Sequence, residues 1–122
     1  MVNTSSQYEG ITSTVNQDTN MLEISATGDW RIEQRSLNEA RSISTGQTIT
    51  GSGDEVLRIA SHGQTAFIEG NSANRHFSIW ARGNRNGLLV NTSNEYSGRM
   101  VLRNTYTILE VSAIGSWTIT FE

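Results

Sequence analysis

The chain reads as an all-β protein: an antiparallel β-sandwich of jelly-roll-like form with an incomplete internal repeat. Three observations predict it. Apolar and polar residues alternate in many short runs, Gly-rich turns separate those runs, and a block near the start recurs near the end.

Taken in order, Leu22, Ile24 and Ala26, then Trp30 and Ile32, stand at period two on either side of Gly28-Asp29. This predicts a hairpin with Trp30 in a core. Residues 36–42, containing Leu37, Ala40 and Arg41, are the one candidate helix, read as an ordered connector and not a floppy linker. Strands follow near residues 47–50, 55–60, 64–69, 75–82, 88–91, 99–103 and 106–112. Between them lie the turn signals Gly51-Ser52-Gly53-Asp54, His62-Gly63, Gly70-Asn71-Ser72 and Gly83-Asn84-Arg85-Asn86-Gly87. A closing hairpin sets Leu109, Val111 and Ala113 against Trp117, Ile119 and Phe121, so Trp117 is also expected in the core.

The repeat is explicit. Residues 1–10 (MVNTSSQYEG) align with 89–98 (LVNTSNEYSG), and residues 22–32 (LEISATGDWRI) with 109–119 (LEVSAIGSWTI). The spacing between the two blocks differs by one residue. Chance pairing would match about one position in fifteen. The first copy has no counterpart of residues 46–88. The expected organisation is a partial first repeat at 1–34, a connector at 35–45 and a complete second repeat at 46–122, with 1–34 packed against the latter as one compact unit. A break inside a repeat makes Met1 suspect as a natural start.

Composition narrows the function. Without cysteine there are no disulfides or thiolate metal sites. Lysine and proline are absent too, and the nine arginines are scattered through a chain of net charge −3, which lacks the basic stripe of a nucleic-acid binder. No apolar run is long enough for membrane insertion as a helix, and the first residues have neither the basic nor the apolar region of a secretory signal.

From about Ile32 onward the chain resembles an uncharacterised β-sandwich repeat of bacterial secreted and envelope proteins. The matching stretches are Gly51-Ser52-Gly53-Asp54-Glu55-Val56, Gly70 through Trp80, Leu88-Leu89-Val90-Asn91-Thr92, Tyr96-Ser97-Gly98 and Leu109 through Ile119. The closing Leu-Glu-Val…Gly-x-Trp-x-Ile is also similar to the last hairpin of small jelly-roll domains appended to secreted peptidases. The resemblance implies a β-sandwich and an extracellular or cell-envelope setting. It implies no catalytic residues and no cofactor.

Several residues are candidates for a site. On the strand near 75–82, Phe77, Ile79 and Ala81 share the core face, which leaves His76, Ser78 and Trp80 on the other. An indole there could stack on a sugar, or could be packed under a neighbouring segment. Asp54 and Glu55 are weak candidates for Ca²⁺ in a turn. His62 and His76 stand at no metal-ligand spacing, and no Gly-x-Ser-x-Gly elbow is present, so no enzyme is expected. Asn3-Thr4-Ser5 and Asn91-Thr92-Ser93 have the form of glycosylation sequons, but their recurrence suggests a structural turn. Ile11, Val15, Leu22 and Ile24 line strand edges that lack partners in the half-copy and form a candidate assembly edge.

Two functions fit. One is a non-catalytic extracytoplasmic module that binds a glycan or envelope component, or acts as a spacer. The other is a structural subunit that forms a homo-oligomer by pairing or exchanging its incomplete repeat.

Overall fold

A computed structural model describes residues 2–14 and 21–122 of the chain. Among the described residues nine strands form two packed sheets. The strands are β1 (Ser42–Ile43), β2 (Thr48–Ser52), β3 (Glu55–Ile59), β4 (Thr65–Gly70), β5 (Phe77–Gly83), β6 (Gly87–Thr92), β7 (Tyr96–Val101), β8 (Tyr106–Ala113) and β9 (Ser116–Phe121). One sheet has the order β1-β3-β8-β5-β6 and the other β2-β9-β4-β7. All pairings are antiparallel except β1 with β3. The fold is the antiparallel β-sandwich that the alternation predicts.

The inward rows meet as a single core. Leu57, Ile79, Ala81, Leu109 and Val111 of the five-stranded sheet pack with Ala66, Ile68, Trp117, Ile119 and Phe121 of the four-stranded sheet. Period-two patterning creates this layer because successive side chains leave a strand on opposite faces. The closing hairpin is its clasp. β8 lies between β3 and β5 in one sheet, and β9 between β2 and β4 in the other. Trp117 is opposite Gly51 on β2 and Gly70 on β4, the two residues without side chains that make room for an indole.

The connector is shorter than the helix expected over residues 36–42. One 3₁₀ turn, Leu37–Glu39, is held by a capping box in which Ser36 accepts from Asn38 N–H and Glu39 accepts from Ser36 N–H. The chain then enters β1, and Arg41 binds both carboxylate oxygens of Glu55 while also donating to the Thr50 carbonyl. The strand expected at residues 99–103 starts earlier, at Tyr96, so that Tyr96 and Met100 can pack against the core.

The half-copy departs from expectation. Residues 21–36 form no strand, and Trp30, expected in a core, is 61% exposed. The cause is the absence of neighbours. The counterparts of β2 to β5, which flank β8 and β9 in the complete copy, occur once in these 122 residues and are already filled. Local geometry nevertheless repeats. Thr4 Oγ1 accepts from Ser6 N–H at 3.2 Å, as Thr92 Oγ1 does from Asn94 N–H at 3.0 Å. The sequon-like triplets are thus turn motifs, as their recurrence suggested.

Candidate functional site

The outer face of the five-stranded sheet is built by the residues that alternate with the core. Strand register places Ser78, Trp80 and Arg82 of β5 beside Ser112, Glu110 and Ile108 of β8, and β3 adds Val56 and Arg58. His76 precedes this row, and its Nε2 lies 3.4 Å from Ser78 Oγ. The structure therefore brings His76 and Ser78 together, with Trp80 next on the same face.

Trp80 is 36% exposed, and its ring is not bare: the Arg82 guanidinium carbon stands 4.8 Å from the ring centroid. A cation over an indole face is attracted by the ring quadrupole. Arg82 also reaches Glu110 at 3.8 Å. Ile108 is fully buried although it points away from the main core, flanked by Arg58 on one side and Arg82 on the other. Arg58 Nε, Arg82 Nε and one oxygen of Glu110 are buried with no hydrogen-bond partner. Sequence reasoning singled out Trp80 and missed this charged cluster. The signal was available, because residues two apart on one strand share a face, which joins Arg82 to Trp80.

At the end of this face a cleft of about 560 Å³ lies between the half-copy and the complete copy. Tyr8, Thr4 and Glu9 line one side, and Asp54, Arg75, His76 and Ser112 the other. Tyr8 ties the two sides together by donating its hydroxyl hydrogen bond to Asp54 Oδ2. Burial, and then the hydrogen bond and charge of Asp54, push the Tyr8 phenol well above its ordinary value. Asp54 Oδ1 accepts from Ala113 N–H at 2.8 Å, which fastens the turn after β2 to the end of β8.

The remaining candidates are distributed elsewhere. Asp54 is engaged by Tyr8 and Ala113, and Glu55 by Arg41, so both carboxylates already have protein partners. Among the described residues no group of three or more His, Asp or Glu side chains could hold a metal. His62 donates from Nε2 to the Tyr106 carbonyl, away from His76. Ile11, Leu22 and Ile24 of the candidate assembly edge are exposed, and Val15 lies outside the described residues.

No protein-family model matches the chain, and no curated protein matches it. The crystal structure of a pre-peptidase C-terminal domain of a collagenase from Bacillus anthracis is similar, with a TM-score of 0.53 at 13% sequence identity. The match covers 73% of this chain and 100% of that one. At this identity the likeness is one of fold: two packed antiparallel sheets shared with a domain of a bacterial collagenase.

Proposed function

We propose that the protein is a non-catalytic extracytoplasmic β-sandwich module that binds a glycan or other envelope component at the seam between its half-copy and its complete copy. The observation that carries this reading is the cleft, where an aromatic ring (Tyr8), a guanidinium (Arg75) and an imidazole (His76) converge beside the row leading to Trp80. Most of the lining is polar, with Asn3, Thr4, Gln7, Glu9 and Ser112 beside those three groups, which suits a hydroxyl-rich ligand better than an apolar one. The likeness to a pre-peptidase C-terminal domain supports a module of a secreted bacterial protein. In this reading residues 1–34 and 46–122 act as one unit, because the cleft has walls from both. A glycan array probed with the native chain, His76→Ala and Trp80→Ala tests it. Shared hits that weaken in both variants, with circular dichroism unchanged, are expected. A folded native chain without hits removes the glycan reading and leaves the spacer.

A second reading is favoured by a separate observation. Leu22, Ile24, Trp30 and Ile32 are 48%, 40%, 61% and 53% exposed, an apolar load concentrated in one short segment. Such exposure marks an interaction surface. It supports a structural subunit that assembles through the half-copy. Light scattering over a dilution series is expected to show association that rises with concentration. A mass equal to one chain throughout would exclude self-assembly.

A further inference from the structure

Residues 22–32 of the half-copy and residues 109–119 of the closing hairpin have seven identities in eleven aligned positions. In the complete copy those residues occupy a defined slot. Leu109 lies between Leu57 and Ala81, and Val111 between Glu55 and Ile79. Trp117 lies between Gly51 and Gly70, and Ile119 between Ile49 and Ile68. Their counterparts Leu22, Ile24, Trp30 and Ile32 keep the apolar character and the spacing, but lie in solvent.

We propose that residues 21–34 are a donor hairpin that completes a second sandwich of this repeat, entering between the counterparts of β3 and β5 in one sheet and of β2 and β4 in the other. This goes beyond the structural-subunit reading in its partner, which is not an intact copy of this chain but a copy of the repeat whose slot is vacant. An intact copy of this chain is a poor partner, because its slot is filled by a better hairpin. Gln34 stands where the resident hairpin has Phe121, which is fully buried. The half-copy therefore loses a direct competition and takes a slot only where none is resident. The fit is steric as well as apolar. A β-carbon on Gly51 would stand 2.2 Å from the Trp117 ring, so the slot accepts an indole only because glycine faces it, and Trp30 supplies that indole. Edge pairing adds backbone hydrogen bonds on both sides of each donated strand, whereas residues 21–34 form no strand in this structure.

The probe is a full-length chain carrying Trp30→Ala and Ile119→Asp, in which neither of its own segments holds the slot, while β1 to β7 remain to receive a donor. Titrated with the native chain, it is expected to form a one-to-one complex, gain β circular dichroism and shift Trp emission to the blue. Trp30 is exposed, so Trp30→Ala folds as the native chain does, and it should weaken binding at least tenfold. A register check uses the cysteine-free background. Thr118 pairs with Glu69, and Arg31 is the counterpart of Thr118. Arg31→Cys in the chain should therefore form a disulfide with Glu69→Cys in the probe and not with Ser72→Cys. No complex, binding that Trp30→Ala leaves unchanged, or disulfides without register preference would each overturn the proposal. Association of the full-length chain alone, measured separately, decides the subunit reading, so the two outcomes are distinguishable.

Discussion

The indole of Trp117 lies against Gly51, so close that a β-carbon there would fall 2.2 Å from ring atom Cζ2, and its Nε1 donates to the Gly53 carbonyl at 3.0 Å. Gly51→Ala is therefore expected to destabilise the fold by about 1–3 kcal/mol through overpacking. Trp117→Ala should cost about 3–5 kcal/mol. Trp30→Ala, the same residue of the repeat without a slot, should change stability by less than about 0.5 kcal/mol. Urea unfolding of the three variants measures the ordering. Equal costs at Trp30 and Trp117 would contradict the exposure of Trp30.

Asp54 serves two partners, and the partners can be separated. Tyr8→Phe removes one hydrogen bond at a half-exposed site and should cost about 0.5–1.5 kcal/mol. Asp54→Ala also frees the Ala113 amide, so it should cost more. Hydrogen exchange at Ala113 should accelerate in Asp54→Ala and stay near the native rate in Tyr8→Phe. Acceleration in both would mean that the Tyr8 contact positions the carboxylate.

The same contact carries a pH dependence. The Tyr8 phenol is raised above its ordinary value of 10.0, chiefly by burial and then by Asp54. A raised acid is held protonated by the fold. Its contribution is therefore complete below the unfolded value and disappears as pH climbs towards the folded one. Phenolate absorbance should show a late-titrating group in the native chain that is missing from Tyr8→Phe. A titration of Tyr8→Phe that retains the same late step assigns it to another tyrosine.

Asn71 is buried at φ +63°, accepts from Arg75 N–H and donates to the carbonyls of Arg75 and Asn94. It thus ties the turn after β4 to the turn after β6. Asn71→Ala leaves the left-handed backbone strained and those groups unpaired, an expected loss of about 2–4 kcal/mol. Asn71→Gly relieves the backbone and should be milder. The reverse order in thermal unfolding would show that strain is not part of the cost.

Arg82 both covers the Trp80 ring and faces Glu110. Arg82→Ala should redden Trp emission and cost about 1–3 kcal/mol by leaving a half-buried carboxylate alone. Arg82→Ala with Glu110→Gln should recover part of that loss.

The sandwich was legible because its signal is local. Leu109, Val111, Trp117 and Ile119 carry their period in the chain itself, and a buried face imposes that period wherever the strand ends up. Trp30 carries the same period and is in solvent. Its fate depends on whether strands like β2 and β4 stand beside it, which is non-local information that no alternation contains. The site was legible in part for the same reason. His76, Ser78 and Trp80 share a face by parity, but Tyr8 reaches Asp54 from forty-six residues away. The partners of Asp54 and Glu55 were not legible either, because Tyr8 and Arg41 reach those turn carboxylates from distant parts of the chain.

The central position of β8 and β9 also orders events in time. Synthesis proceeds from the N-terminus, so β2 to β5 exist with an open slot before the hairpin that fills it. Both sheets wait on the same hairpin, because β8 is interior to one and β9 to the other. Completion of the two layers is thus a single event, and a chain stopped before residues 106–121 is left with neither.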